Sequence, residues 1–337
     1  MNARDEKMGV CVVGLGMGYA HAKAYSAMEN VELYVCDIDD QRTKKAQSEL
    51  NVKGVFTNVE VAISSPKIDA LDVALPHNLH KSVCLESVAA GKHFMIEKPI
   101  ARTLEEADQM ITAAEKVGVK LMVAENQRFW PSAIKARQFI DEGLLGKVFL
   151  IQVYEMWYYN PDGWRRSEEQ VGGGNLIDSG IHAVNTLRLL AASETTRVFA
   201  LNTGIGIPEM EGEDTNLVTV KFQNGSMGNL ISSWAIPLSG PQAHFAVYGT
   251  EGCLWEEEKT LFLHSHRLPE GLSYHKEPTP VEVPSVNTFE AECAQFVDCI
   301  LGDKEPITNG REARKDLEIV VAAYRSAQTG KAIKLPL

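Results

Sequence analysis

Four consecutive apolar residues, Val10-Cys11-Val12-Val13, run into Gly14-Leu15-Gly16-Met17-Gly18 and then into a small-residue stretch with helical spacing. A buried strand that turns within a few residues into a helix leaves few folds open, because the helix must pack back over the strand it has left. The next hundred residues repeat the alternation. Apolar runs stand at Gly9 to Val13, Glu32 to Cys36, Ala70 to Leu75, His93 to Ile96 and Lys120 to Ala124, with a weaker one near Val55. Helical patterns separate them, which predicts a parallel sheet with crossover helices.

The texture changes near Asn126. The pattern predicts helices over Pro131 to Glu142 and Asn175 to Leu190, the second following the Gly172-Gly173-Gly174 run. Alternating strands are expected from Arg197 to about Leu263, with Gln223-Asn224-Gly225 as the clearest hairpin turn, since Asn-Gly tolerates the positive φ of a tight turn. Helices over Thr288 to Leu301 and Gly310 to Thr329 close the chain, and Pro278 to Pro284 reads as a loop. The expected domains are 1–125 and 126–337, a division that 337 residues can support.

Composition narrows the partners. A net charge of -12 and a pI near 5.3 argue against nucleic acid, whose phosphates need a basic face. No apolar run approaches the roughly 18 residues of a membrane span, and the opening Met-Asn-Ala-Arg-Asp-Glu-Lys has no apolar core of a signal peptide. The six cysteines form no CxxC pair and several lie in apolar patterns, so they read as reduced thiols in a cytoplasmic protein with small-molecule partners.

The glycine string follows a strand and opens a helix, the setting in which backbone amides cradle a pyrophosphate; the plainer reading is an ordinary glycine turn. Asp37, 23 residues after Gly14, ends the next strand, where a carboxylate can accept both ribose hydroxyls and repel a 2'-phosphate. NAD is therefore expected in preference to NADP. Lys98 stands just after a strand, and Pro99 keeps it out of helical geometry and fixes its loop, although most lysines are simply solvated. Asp178 and His182 share a helix face at a spacing of four; they read either as an acid–base pair or as a helix-start carboxylate and a satisfied imidazole. Trp157, Tyr158, Tyr159, Trp164 and Arg165 offer aromatic faces and a guanidinium that suit a polyol, or an ordinary core. His77 and His80, and His264 and His266, lack the companions of a metal set, and no catalytic metal is expected.

Taken together, these residues resemble the Gfo/Idh/MocA oxidoreductases. The likeness runs nearly end to end: the Gly14 turn with His21, Asp37, Pro76-His-Asn-Leu-His80, Glu97-Lys98-Pro99, Asn126-Gln-Arg128-Phe129, Gly143-Leu-Leu-Gly146, Asp178-x-Gly180-x-His182 and Gly249-Thr-Glu-Gly252. It departs where the glycine loop is one residue short, with Gly18 one place early, and where Asn185 replaces a frequent aspartate. The resemblance implies an α/β chain, a Rossmann domain followed by an α/β domain whose large, mostly antiparallel sheet has an open face for homodimer or homotetramer formation. It implies NAD held by Gly14, Gly16, Met17, Gly18, Asp37, Pro76, His80, Glu97, Lys98 and Arg128. The polyhydroxylated substrate would meet Lys98, Arg128, Tyr158, Trp164, Arg165, Asp178 and His182. His182 would act as general base, with Lys98 and Asp178, in dehydrogenation of a sugar or cyclitol alcohol. A glycoside hydrolase or lyase working by transient oxidation, and a cofactor-binding regulator, are the alternatives.

Overall fold

A computed structural model describes residues 7–237, 243–267 and 278–337. The chain divides into two compact units, Met1–Asn126 with Asn287–Arg314, and Gln127–Val286 with Lys315–Leu337.

The first unit is built on the predicted alternation. Strands β1 (Met8–Val13), β2 (Val31–Cys36), β3 (Val52–Phe56), β4 (Ala70–Val73), β5 (His93–Glu97) and β6 (Leu121–Ala124) form one sheet in the order β3-β2-β1-β4-β5-β6. Every pairing is parallel. Crossovers are α1 (Gly18–Ser26), α2 (Asp40–Glu49), α3 (Val59–Ser64), α4 (His77–Ala89) and α5 (Leu104–Val117). Side chains buried on both sheet faces explain why these strands read as continuous apolar runs: Val10, Cys11 and Val12 are all fully buried. Helix starts are marked by side-chain caps, Asp39 accepting from Gln41 N and Thr103 from Glu106 N. The strand order reverses at β1 and β4, the point where such sheets receive ligands at their carboxyl ends.

This division differs from 1–125 and 126–337 because residues 287–314 return to the first unit. Helix α9 (Thr288–Leu301) packs on α1 and buries Cys293 and Phe296. Thr288 Oγ1 accepts from Asn126 Nδ2 at 3.1 Å, and Val123 N donates to Thr308 O at 2.8 Å. Ion pairs Arg311–Glu115 and Arg314–Asp108 continue the attachment. A boundary read from changing texture misses a segment that leaves a fold and rejoins it.

The second unit holds a nine-stranded, mostly antiparallel sheet. Its strands are β7 (Val148–Met156), β8 (Thr195–Thr203), β9 (Thr215–Phe222), β10 (Met227–Ser233), β11 (Ala243–Gly249), β12 (Gly252–Glu257), β13 (Thr260–Ser265), β14 (Thr279–Val281) and β15 (Ile333–Lys334). The order is β14-β13-β12-β11-β7-β10-β9-β8-β15, with only β7–β10 parallel. The Asn224-Gly225 turn joins β9 to β10 as expected, Gly225 having φ +92°. Strand β7 lies near the centre yet escapes a search for alternation, because Val148-Phe-Leu-Ile151 is apolar on both faces. Strand β14 occupies part of the expected Pro278 to Pro284 loop. Helices α6 (Pro131–Asp141), α7 (Glu168–Val171), α8 (Ile181–Ala191) and α10 (Gly310–Thr329) complete the chain, the second unit resuming inside α10. One sheet face is buried; the other leaves Phe199, Leu201, Leu217 and Met227 exposed. Among the described residues no helix is long and apolar enough to cross a membrane.

Candidate active site

At the carboxyl end of β1, three glycines do three different jobs. Gly14 has φ +86°, and a Cβ there would lie 2.4 Å from the Ala74 carbonyl oxygen. A Cβ on Gly18 would press on Val12 and Ala74 at 3.0 and 3.1 Å, so its bare Cα lets α1 start close against the sheet. At Gly16 the nearest atom is Arg42 Nη1 at 3.7 Å, leaving room for a ligand to approach backbone. Turn, open approach and close packing are what a pyrophosphate cradle needs, and a third glycine one place early still supplies the last. Met17 stands half exposed at the N-cap of α1. At the end of β2, the buried Asp37 accepts from Leu15 N at 2.7 Å and Asp39 N at 2.8 Å, one bond per oxygen. A carboxylate has lone pairs left after two such bonds, so ribose hydroxyls remain acceptable partners. The residues present fit a dinucleotide. Arg42 Nη1 lies 3.7 Å from Asp37 Oδ2.

Pro76 immediately precedes α4, and Lys98 follows β5, so both stand at the same carboxyl edge as the cradle. The Lys98–Pro99 peptide is cis. His80 is fully buried, Nδ1 3.0 Å from Pro99 O and Nε2 2.9 Å from Leu75 O. The ring ties the loop after β5 to the loop after β4, and both nitrogens are spent on protein rather than turned to a ligand. Burial pulls its pKa down to about 4, beyond what the carbonyls restore. A neutral ring donates to only one of the two carbonyls, and burial outweighs the pull of the second toward the cation.

In the second unit, the expected helix over Asn175 to Leu190 opens as a single π-helical turn, Leu176–Gly180, before α8. Such turns widen the backbone locally and recur at functional positions. Asp178 sits on it, buried, and its Oδ2 accepts from Arg165 Nε at 2.9 Å; the Arg165 guanidinium in turn lies over the Trp164 ring at 4.5 Å. The turn is held by Tyr324, whose hydroxyl accepts from Gly174 N and Ile177 N and donates to Glu213 Oε1 at 3.1 Å. Gly173 makes room, for a Cβ there would be 2.3 Å from that hydroxyl. Gly180 is likewise a packing requirement: its Cβ would meet Ser232 Oγ on β10 at 2.7 Å.

His182 is half-buried on the first turn of α8. Asn185, the departure from the family pattern, donates from Nδ2 to Asp316 Oδ2 at 2.7 Å, with Arg188 on the other oxygen. An aspartate there would face a second carboxylate, so Asn185 suits this neighbour. Tyr158 is 59% exposed and bridges to Ala235; Arg128 lies on the 3-10 turn Asn126–Phe129.

Two residues that sequence reading missed stand beside this set. Glu155, buried on β7, lies with Oε2 3.7 Å from His244 Nε2 on β11, and Gln127 Nε2 donates to its Oε1 at 3.2 Å. Trp130 meets the His244 ring edge-on at 4.2 Å. Burial first, and the nearby charge of His182 second, pull His244 down to about 4. The available signal was Glu155 itself, a carboxylate in phase with the buried Ile151 and Val153, but it becomes visible only once β7 is drawn.

Residues 8–125 match the description "Oxidoreductase family, NAD-binding Rossmann fold", and residues 133–255 match "GFO/IDH/MocA C-terminal domain". The chain is 29% identical to a 1,5-anhydro-D-fructose reductase of Ensifer adhaerens, over 83% of each chain. It is 27% identical to an NAD(+)-dependent scyllo-inositol 2-dehydrogenase of Bacillus subtilis, covering 98% of this chain and 97% of that one. Among solved structures, aldose-aldose oxidoreductase from Caulobacter crescentus, complexed with glycerol, superposes with a TM-score of 0.87 at 26% identity, over 98% of this chain and 100% of that one.

Proposed function

Because this chain belongs to the Gfo/Idh/MocA oxidoreductases, we propose that it is an NAD-dependent dehydrogenase oxidising a ring secondary alcohol of a sugar, sugar derivative or cyclitol. The observation that carries the reading is the glycine cradle with Asp37, set at one sheet edge with Lys98.

Gly14, Gly16 and Gly18 would hold the pyrophosphate, and Asp37 the adenosine ribose. The bound nicotinamide supplies the acceptor for the hydride leaving the carbinol carbon. A ring nitrogen of His182 accepts the hydroxyl proton as the C–H bond breaks and the carbonyl forms, and returns it in the reverse direction. Lys98 donates to the reacting oxygen and stabilises the developing alkoxide. Asp178, oriented by Arg165, fixes the substrate or the imidazole. Arg128, Tyr158, Trp164 and Arg165 suit a ring with several hydroxyls, since an apolar alcohol would leave such donors unpaired. The three relatives are named for anhydrofructose, scyllo-inositol and aldoses, which supports the same class.

The exposed apolar sheet face supports pairing of two copies, as dimer or tetramer. The six cysteines, all free, fit a reducing, cytoplasmic setting. Mass spectrometry of the purified protein for bound NAD, followed by a dehydrogenase screen over sugars and inositols, tests the proposal. Preference for a hydrophobic alcohol overturns the substrate class. Retained NAD with cleavage of a glycoside replaces dehydrogenation by hydrolase or lyase chemistry.

A further inference from the structure

Beneath the loop that carries Lys98 lies a buried cluster that the proposed chemistry does not use. His21 on α1 is fully buried, its Nδ1 3.0 Å from both oxygens of Asp72 on β4. Its Nε2 lies 3.5 Å from Glu97 Oε1, at the end of β5, and 3.4 Å from Glu292 Oε1 on α9. The other Glu97 oxygen accepts the Lys98 backbone N–H at 3.1 Å. One carboxylate therefore joins the buried ring to the backbone of the proposed catalytic lysine.

We propose that His21 is a positioning residue for Lys98: its ring, clamped by Asp72 at one nitrogen, attracts with the other, at ion-pair distance, the Glu97 carboxylate that accepts the Lys98 backbone N–H. The inference rests on the reading of Lys98 as the group that binds the reacting oxygen. Facing His21 are Asp72, Glu97, Glu292 and Cys293, with Glu125 near Glu292 and Tyr25 near Asp72. All are acids, and buried carboxylates are costly without a cation among them. Burial alone lowers the His21 pKa, but Asp72, Glu292 and Glu97 outweigh it and hold it at about 10. A ring protonated at both nitrogens gives one N–H to Asp72 and sets its charge at ion-pair distance from Glu97 and Glu292. Burial pushes Glu292 well above the usual carboxylate range, and the facing His21 ring draws it back. The arrangement matches the way buried carboxylate–histidine pairs orient a working group from behind.

His21, Asp72 and Cys293 also offer three atoms within 4.8 Å of one another, a spacing a metal ion can use. The two occupants of the cluster, a proton and a divalent ion, are separable by experiment. His21→Gln keeps side-chain length and a donor but loses the charge. It is expected to lower kcat about 10- to 100-fold, the scale of a displaced catalytic group, with NAD affinity and KM within about threefold of wild type. Removing a cation behind Lys98 also raises the lysine's own pKa, so the alkaline limb of kcat/KM shifts upward by about half a unit or more. Phe289→Leu, which trims only the ring packed 5.7 Å from His21, should leave the profile in place. Histidine side-chain nitrogen NMR of the wild type should show His21 protonated at both nitrogens at pH 8. Should His21→Gln fail to fold, Glu97→Gln, expected to lower kcat, decides with the NMR result. Unchanged kcat and profile in the variants, a singly protonated ring, or a stoichiometric divalent metal in the purified protein each overturns the inference. Loss of turnover in Lys98→Ala beside a normal His21→Gln refutes the positioning role alone; normal turnover in Lys98→Ala refutes the reading beneath it.

Discussion

Tyr324→Phe removes one oxygen from the π-helical turn that bears Asp178, and the structure gives the cost. The hydroxyl makes three hydrogen bonds: it donates to Glu213 Oε1 and accepts from Gly174 N and Ile177 N. Glu213 keeps Leu176 N at 2.8 Å and Asn216 Nδ2 at 3.2 Å, so the carboxylate is not abandoned. Each amide loses this acceptor in a partly buried place. A charged hydrogen bond contributes about 1.5 kcal/mol and each of the two stranded N–H groups costs about 1 kcal/mol at the lower end of the range, which together give about 3.5 kcal/mol. Phenylalanine fills the same volume, so no cavity adds to this. Urea unfolding followed by circular dichroism reads the loss, and hydrogen exchange over residues 172–180 localises it. Faster exchange in that segment should accompany lower kcat with unchanged NAD affinity, because Asp178 moves and the cradle does not. A stability change under about 0.5 kcal/mol, with exchange unaltered, would refute the reasoning.

Other outcomes follow from the same structure. Comparing kcat/KM for the two cofactors should favour NAD by about tenfold or more, and Asp37→Ser should weaken NAD binding while Arg42, 3.7 Å away, becomes available to a 2'-phosphate; an initial NADP preference contradicts the assignment. Lys98→Ala and His182→Ala should each lower kcat about 100-fold with NAD affinity intact, and near-normal turnover in both relocates the site. Light scattering should find a dimer or tetramer, with Leu201→Glu on the exposed sheet face dissociating it; a stable wild-type monomer at micromolar concentration argues against pairing. Stability should peak between two histidine windows. The depressed His80 and His244 stabilise above the unfolded value near 6.5 and lose that contribution as pH falls through about 4, whereas the raised His21 stabilises below 6.5 and loses it as pH rises through about 10. Chemical unfolding across pH 4 to 10 checks the signs, and a monotonic curve would contradict them.

What could be read from the residues alone follows from how local their causes are. A buried parallel strand, its glycine turn and a capped helix are each determined within a dozen residues, so β1 to β6, the Asp37 position and the Lys98 loop are legible. The hairpin at Asn224-Gly225 is legible for the same reason. Strand β7 is not, because a run that is apolar on both faces shows no period. Glu155 and His244 come together through pairing of strands ninety residues apart in the chain, and no spacing announces it. Gly173, Gly174 and Gly180 are visible as glycines, but their purpose depends on Tyr324, Glu213 and Ser232, which only the fold identifies.

The return of α9 to the first unit bears on how this protein is made. A ribosome releases residues 1–126 long before Asn287 leaves the tunnel, so the nascent Rossmann sheet must wait with the α1 surface uncovered, and Glu292 and Cys293 not yet beside His21 and Asp72. Synthesis from the amino end therefore cannot finish one unit before beginning the other. An excised fragment ending at Asn126 would carry every cradle glycine and still lack the helix that closes its interior. A gene permuted so that residues 287–314 are translated beside the first strands would let that half of the molecule mature in a single pass.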